Sequence, residues 1–331
     1  MEKRTLGNRS LTVTRLGLGL AALGRPGYIN LGHAQDLQQD YDVAAMEAHA
    51  HTVLDAAWAT GIRYFDAARS YGRAEAFLGS WLTKRNLSPE SVAIGSKWGY
   101  TYTAGWQVKA EKHEVKEHSL PVLQRQIGES RALLGDHLDL YQIHSATLDS
   151  GVLENDEVLT ELARLRENGL LIGLSLSGAN QAETLRRAMQ VQVNGRLLFD
   201  SVQATWNLLE QSAGEALQEA HQSGMGVIIK EAVANGRLTP RNQNPTFHTQ
   251  MALLNEIAEQ LDCTVDALAL AAVLAQPWVD VVLSGAATVE QLRSNVLAVN
   301  VKWDEGTAVA LRPLLESPKI YWQTRSHLDW N

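Results

Sequence analysis

Eight short apolar or β-branched runs recur along this chain, and most are followed by a stretch whose apolar residues repeat with helical spacing. The runs are Thr14–Leu20, Arg63–Asp66, Val92–Lys97, Leu138–Ile143, Ile172–Leu176, Ser201–Ala204, Gly226–Lys230 and Val279–Ser284. The clearest helical segments are Glu75–Arg85, Leu120–Leu134, Asp156–Asn168, Gln181–Val191, Gly214–Ser223 and Val289–Val299. Strands separated by helices pair in parallel, because a parallel neighbour is reached only through a crossover. Eight such units close into a (β/α)8 TIM barrel, an α/β fold that here takes in residues 1–331 as one domain. Hydrophobic residues make up 45% of the chain, enough for a core of that size.

Some segments stand outside the repeat. Thr5 to Val13, around Gly7-Asn8, predicts an N-terminal β-hairpin before the first barrel strand. Gly99 to Ser119 follows a strand, so it predicts a long βα loop on the catalytic face. Arg25–Tyr41 is an unusually long insert with no assignable role. Glu316 to Asn331 holds Tyr321, Trp322 and Trp330 without helical periodicity and reads as an irregular tail.

Charge and cysteine content narrow the function classes. A net charge of −8 argues against a nucleic-acid backbone binder. Cys263 is the single cysteine, so no intrachain disulfide forms and a reducing, cytoplasmic setting is expected. The start, Met1-Glu2-Lys3-Arg4, does not read as a signal peptide, and no apolar run reaches the roughly 18–20 residues of a membrane span. Ala267 to Ala275 reads as a buried helix. The histidines are scattered, so no metal site is expected.

Four polar residues fall at or just beyond strand ends: Asp66, Tyr71 five residues later, Lys97 and His144. They belong to the second, third and fourth strands, whose carboxyl ends share one mouth of a barrel. Phenol is a weak acid near neutrality, and a nearby ammonium is expected to lower the Tyr71 pKa. A carboxylate holds that lysine in place, and histidine donates to an oxygen where charge develops. Tyr71 is then the general acid. Singly, each residue has an ordinary explanation as a helix cap, a structural charge or a loop residue. All four, on consecutive strands, point to catalysis.

The tetrad in its contexts, Asp66–Gly72, Ser96-Lys97 and Ile143-His144, resembles the aldo-keto reductase superfamily, and the likeness runs from Leu16-Gly17-Leu18-Gly19 to Gly285-Ala286 and Asn295. The resemblance implies an oxidoreductase that reduces aldehydes or ketones to alcohols. It implies NADP(H) as the favoured cofactor, with NAD(H) possible, and a small carbonyl substrate. It leaves the oligomeric state open. His144, rather than a glutamate, resembles the carbonyl-reducing branch.

The same resemblance assigns the cofactor to Gly19, Leu20, Asp66, Ser175, Gln203, Lys230, Glu231, Val233, Gly285, Gln291 and Asn295. Leu176 stands where the family has Asn, with Ser177 available to compensate. Lys230 stands where the family stacks an aromatic ring on nicotinamide; its charge can pair with Glu231 or meet a phosphate. Gln291 occupies the place of an arginine that often meets the 2′-phosphate, and Arg293 lies two residues on. Trp98, Tyr100 and Trp206 are candidates for the substrate pocket. Two other readings stay open: an NAD-dependent sugar dehydrogenase on the same fold, and a redox-sensing, partner-binding subunit that turns over slowly. Gly17-Leu18-Gly19-Leu20-Ala21-Ala22 fits a dinucleotide fingerprint, but Gly24, Pro26 and Gly27 forbid the helix that must follow.

Overall fold

A computed structural model describes residues 1–331. Its centre is a closed barrel of eight parallel strands: β3 (Leu16–Gly19), β4 (Tyr64–Asp66), β5 (Ala93–Trp98), β8 (Leu138–Ala146), β9 (Leu171–Leu176), β12 (Ser201–Thr205), β13 (Gly226–Lys230) and β14 (Val281–Ser284). Each pairs with its neighbours in the order just given, and β14 returns to β3. Strands such as Val281-Val282-Leu283-Ser284 are buried at every position, because one face meets the barrel interior and the other the ring of helices.

The helices of the ring are α2 (Val43–Ala59), α3 (Ala74–Lys84), α4 (Leu120–Leu134), α5 (Asp156–Glu167), α6 (Gln181–Ala188), α7 (Gly214–Gln222), α9 (Val265–Leu274) and α10 (Val289–Val296). Their apolar faces join the outer faces of the strands in the main core, which includes Phe65, Trp81, Ile143, Leu174 and Val282. The α2 helix, absent from the clearest sequence signals, begins at Asp42, whose carboxylate accepts from the amides of Ala44 and Ala45. The buried helix expected over Ala267–Ala275 is α9, buried at nearly every position. A satellite core forms where α9 meets α8 (His248–Gln260) and Tyr321.

The N-terminal hairpin is present as β1 (Lys3–Thr5) and β2 (Thr12–Thr14). Its turn drives Leu6 into the amino-terminal end of the barrel, among Val13, Tyr64, Leu140, Ile228 and Val281. Gly7 makes this possible: its φ is +55°, and a Cβ there would lie 2.4 Å from the amide nitrogen of Gly226. The first strand is shorter than expected, since Thr14 belongs to the hairpin and β3 starts at Leu16.

Around the opposite mouth the inserts are ordered. The loop Gly99–Ser119 contains a hairpin, β6 (Tyr100–Tyr102) with β7 (Glu114–Lys116). The insert Arg25–Tyr41 carries a single helical turn, α1 (His33–Asp36). Beyond α11 (Glu305–Leu311), the irregular tail expected over Glu316–Asn331 is corrected. Residues Pro318–Ser326 form α12, capped by the Ser317 side chain with Pro318 in its first turn. Its one buried residue is Tyr321, so no apolar period marks it in the sequence. No helix is long and apolar enough to cross a membrane.

Candidate active site

The carboxyl ends of β4, β5 and β8 bring the expected tetrad together. Lys97 is wholly buried; its ammonium is bonded to Asp66 Oδ2 and donates to the Ala67 carbonyl at 2.9 Å. Asp66 Oδ1 accepts from Gln203 Nε2 at 2.9 Å, so the carboxylate is fixed from two directions. The Tyr71 ring lies 5.0 Å from Lys97 Nζ and edge-on to His144 at 5.5 Å between centroids.

His144 does not end its strand as expected. It sits within β8, at an irregularity of register between Ile143 and Ala146. The next residue, Ser145, has a φ of +53°, unusual for a side chain other than glycine. The Ser145 amide donates to Ser175 Oγ at 2.9 Å. This bulge turns His144 into the mouth, a use of local strain common at functional sites. Burial, then the charges of Lys97, Lys230 and Arg25, push the His144 pKa well down, so the ring is neutral. Its Nδ1 lies 3.4 Å from Ser70 Oγ; with that hydroxyl donating, the ring proton sits on Nε2.

Tyr71 departs from expectation in its acidity. Burial, and then Asp66, push its pKa up, while Arg25 pulls it down. The ammonium of Lys97 is largely offset by the carboxylate it grips. A second cation beside the ring is Arg25, from the insert that had no role in the sequence. Its guanidinium lies 5.3 Å from the Tyr71 ring centroid and 4.8 Å from that of Trp330. Nη1 donates to the Ser70 carbonyl and to Glu114, while the buried Nε has no partner.

Tyr71, His144, Asp66 and Arg25 line a cavity of about 300 Å³ with Gly19, Gln203, Lys230, Glu231, Val233 and Gly285. Gly285, Val233 and Asn30 also line a second cavity of about 220 Å³, which reaches Gln291 and Asn295. Sharing those three residues, the two cavities adjoin at the barrel mouth. Leu20 and Ser175 lie behind their wall, bonded through Leu20 N to the Asp66 carbonyl and through Ser175 Oγ to Ser145. Two features of the lining leave room for a bound group. A Cβ on Gly285 would meet no protein atom within 4 Å, and the buried Asn235 Oδ1 at the wall has no partner.

Lys230 points into the catalytic cavity, where it donates to Thr205 Oγ1 at 2.8 Å and lies 3.8 Å from Glu231. Burial lowers its pKa to about 8. Burial would raise Glu231, but Arg325 and Lys230 outweigh it and hold the carboxyl at about 2. Arg325 comes from α12, so the tail missed in the sequence also builds the site.

Of the three aromatic residues named for a substrate pocket, Tyr100 lines the cavity, 4.9 Å from the His144 ring. Trp98 and Trp206 are corrected: both belong to the main core, and Trp206 packs edge-on against Trp278. Each follows an inward-facing neighbour, Lys97 and Thr205, so alternation along the strand turns it outward into the strand–helix layer. Tyr28 and Trp330 take their place at the cavity.

Residues 15–313 match the profile of the aldo/keto reductase family. Pyridoxal 4-dehydrogenase of Microbacterium luteolum is 28% identical over 89% of this chain and 92% of its own. An NADH-specific methylglyoxal reductase of Escherichia coli is 26% identical over 96% of this chain and 99% of its own. Among solved structures, the holo form of an aldo-keto reductase from Bacillus halodurans superposes with a TM-score of 0.74 over 96% of this chain and 97% of that one. At 24% identity that likeness speaks for the fold.

Proposed function

The chain belongs to the aldo/keto reductase family, and from that premise we propose that it reduces a small aldehyde or ketone to the alcohol with a reduced nicotinamide dinucleotide. The observation that carries this reading is the convergence of Asp66, Tyr71, Lys97 and His144 at the first of two adjoining cavities that share Asn30, Val233 and Gly285.

The bound cofactor supplies the hydride. The chain's own residues do the rest. Gln203, held by Asp66, lines the cavity and offers its carbonyl as an acceptor. Neutral His144 donates its Nε2 proton to the substrate carbonyl oxygen and orients it. Tyr71 transfers its phenolic proton to that oxygen as the hydride reaches carbon, which completes the alcohol. The tyrosinate left behind faces Arg25 and Lys97, then recovers a proton from solvent.

With its pKa raised by burial and by Asp66, Tyr71 keeps its proton near neutral pH and is present in the acid form; alcohol oxidation at the same site would call on the phenolate as base. A redox-sensing, partner-binding subunit would instead hold the cofactor tightly and turn over slowly, which the test below separates from rapid cycling.

The test is steady-state reduction of an aldehyde panel with NADPH and with NADH, repeated on Tyr71→Phe. Loss of the acid is expected to lower kcat by about 10²–10⁴, with cofactor affinity close to wild type by tryptophan fluorescence. No turnover of any carbonyl, or near-normal turnover by Tyr71→Phe, refutes the reading.

A further inference from the structure

The insert Arg25–Tyr41 reaches the cavity away from the chemistry and places one carboxylate there. Asp36 ends α1 with its side chain 5% exposed. Arg241 grips it with both terminal nitrogens, Nη1 at 2.8 Å. Gln291, on α10, donates to Asp36 Oδ1 at 2.9 Å while accepting the Ala287 amide. Three segments distant in sequence thus meet at one acidic side chain.

That side chain lines the 220 Å³ cavity, together with Arg241, Asp266, Gln291 and Asn295. Hydride chemistry needs the nicotinamide beside Tyr71 and His144, so the far cavity is left to the adenosine end. This step rests on the function proposed above.

The charges there are unfavourable to phosphate. Asp36 and Asp266 carry two negative charges against the single guanidinium of Arg241, which is already spent on Asp36. Arg241 Nη1 also donates to the Gly32 carbonyl at 3.2 Å. The two cations that the sequence offered as phosphate partners are elsewhere: Lys230 lines the catalytic cavity, and Arg293 is exposed on α10 and does not line the far cavity. A phosphate monoester brings about −1.5 to −2 charge at neutral pH and would meet two carboxylates with no free cation. A ribose diol instead donates hydrogen bonds to a carboxylate, the arrangement by which an acidic residue recognises an unphosphorylated ribose in other dinucleotide sites.

We propose that Asp36 is the cofactor-selecting residue of this protein, and that by occupying Arg241 and Gln291 it admits the free 2′-hydroxyl of NADH in preference to the 2′-phosphate of NADPH. The direction is opposite to the one the family resemblance implies.

The test is the dissociation constants of NADH and NADPH, measured by tryptophan fluorescence at one pH and ionic strength, for wild type and Asp36→Asn. Wild type should bind NADH at least roughly tenfold more tightly. Asp36→Asn keeps a carbonyl acceptor but removes the charge and frees Arg241. It should tighten NADPH by about tenfold or more while changing NADH little. Asp36→Ser guards against a variant that does not fold, since it too removes the charge and frees Arg241, and the proposal expects it to tighten NADPH as well. Tighter binding of NADPH by wild type, an equal shift of both cofactors in Asp36→Asn, or no tightening of NADPH in either variant overturns the proposal. If neither dinucleotide binds, the functional reading fails first; if both bind and NADPH is the tighter, only the selectivity fails.

Discussion

Lys97 shows how a residue's role differs between sequence and structure. The sequence presents a cation near a phenol and suggests that it lowers the phenol pKa. In the fold the ammonium is wholly buried and closed into a pair with Asp66, so most of its field is cancelled before it reaches Tyr71. Its removal therefore has a structural effect first. Lys97→Met leaves the Asp66 carboxylate buried with no compensating charge, a change of about 3–5 kcal/mol when a buried pair loses one partner. The melting temperature of Lys97→Met should fall sharply, and the double variant Asp66→Asn/Lys97→Met should recover a large part of the loss. A single variant as stable as wild type, or a double variant no better than the single, contradicts this. The tetrad itself was legible because its residue types sit near strand ends or just beyond them, and the direction of those ends follows from the βα alternation. Arg25 was not, since a loop arginine far from Tyr71 in sequence carries no periodic signal.

At the level of elements, the barrel strands and most of the helix ring were legible from period alone, while the pieces that shape the mouth were not. The bulge in β8 adds a residue that strict alternation does not announce, and α1 is a single turn. The α12 helix has a signal of a different kind, Ser317-Pro318, a cap followed by a first-turn proline. Beyond it, Asn331 bonds back to the insert, donating to the carbonyls of Asn30 at 2.9 Å and Tyr28 at 3.4 Å, and Trp330 stacks on His113 at 3.8 Å. Removal of residues 327–331 deletes Trp330 from the cavity and this tie to the insert but leaves Arg325 and the whole barrel. KM for aldehydes should rise severalfold or more, and the melting temperature should move by only about 1–3 °C, the scale of surface changes. Unchanged KM in the truncated chain would remove the tail from the substrate site, and a collapse in stability would make it part of the core instead.

Across the whole molecule, the two ends of the barrel use carboxylates for different purposes. At the mouth they hold cations and shape a cleft. At the amino-terminal end they tie strands together. Asp139 accepts the Ile94 amide at 2.8 Å, Asp200 the Ile172 amide at 2.9 Å and Asp280 the Val227 amide at 2.8 Å, each from an adjacent strand or its approach. The three differ in compensating charge. Asp200 is gripped by Arg166 and paired with Arg9, whereas Asp139 has no ion pair, and burial raises its pKa from 3.8 to about 6. The sign follows from linkage. With the folded pKa above the unfolded one, the folded state holds the proton more tightly, so the favourable contribution is full below about pH 4 and is lost as pH rises to about 6. Above that the charged carboxylate costs on the order of 1–3 kcal/mol. Asp139→Asn keeps the acceptor for Ile94 without the charge. It should raise the melting temperature near pH 7.5 by a few degrees, with the gain shrinking toward zero near pH 4. Asp200→Asn, stripped of the charge that two arginines hold, should lower it near pH 7.5. Melting curves of both variants across that range decide the matter. A gain for Asp139→Asn that does not vary with pH, or a matching gain for Asp200→Asn, would show that uncompensated charge is not what separates the two positions.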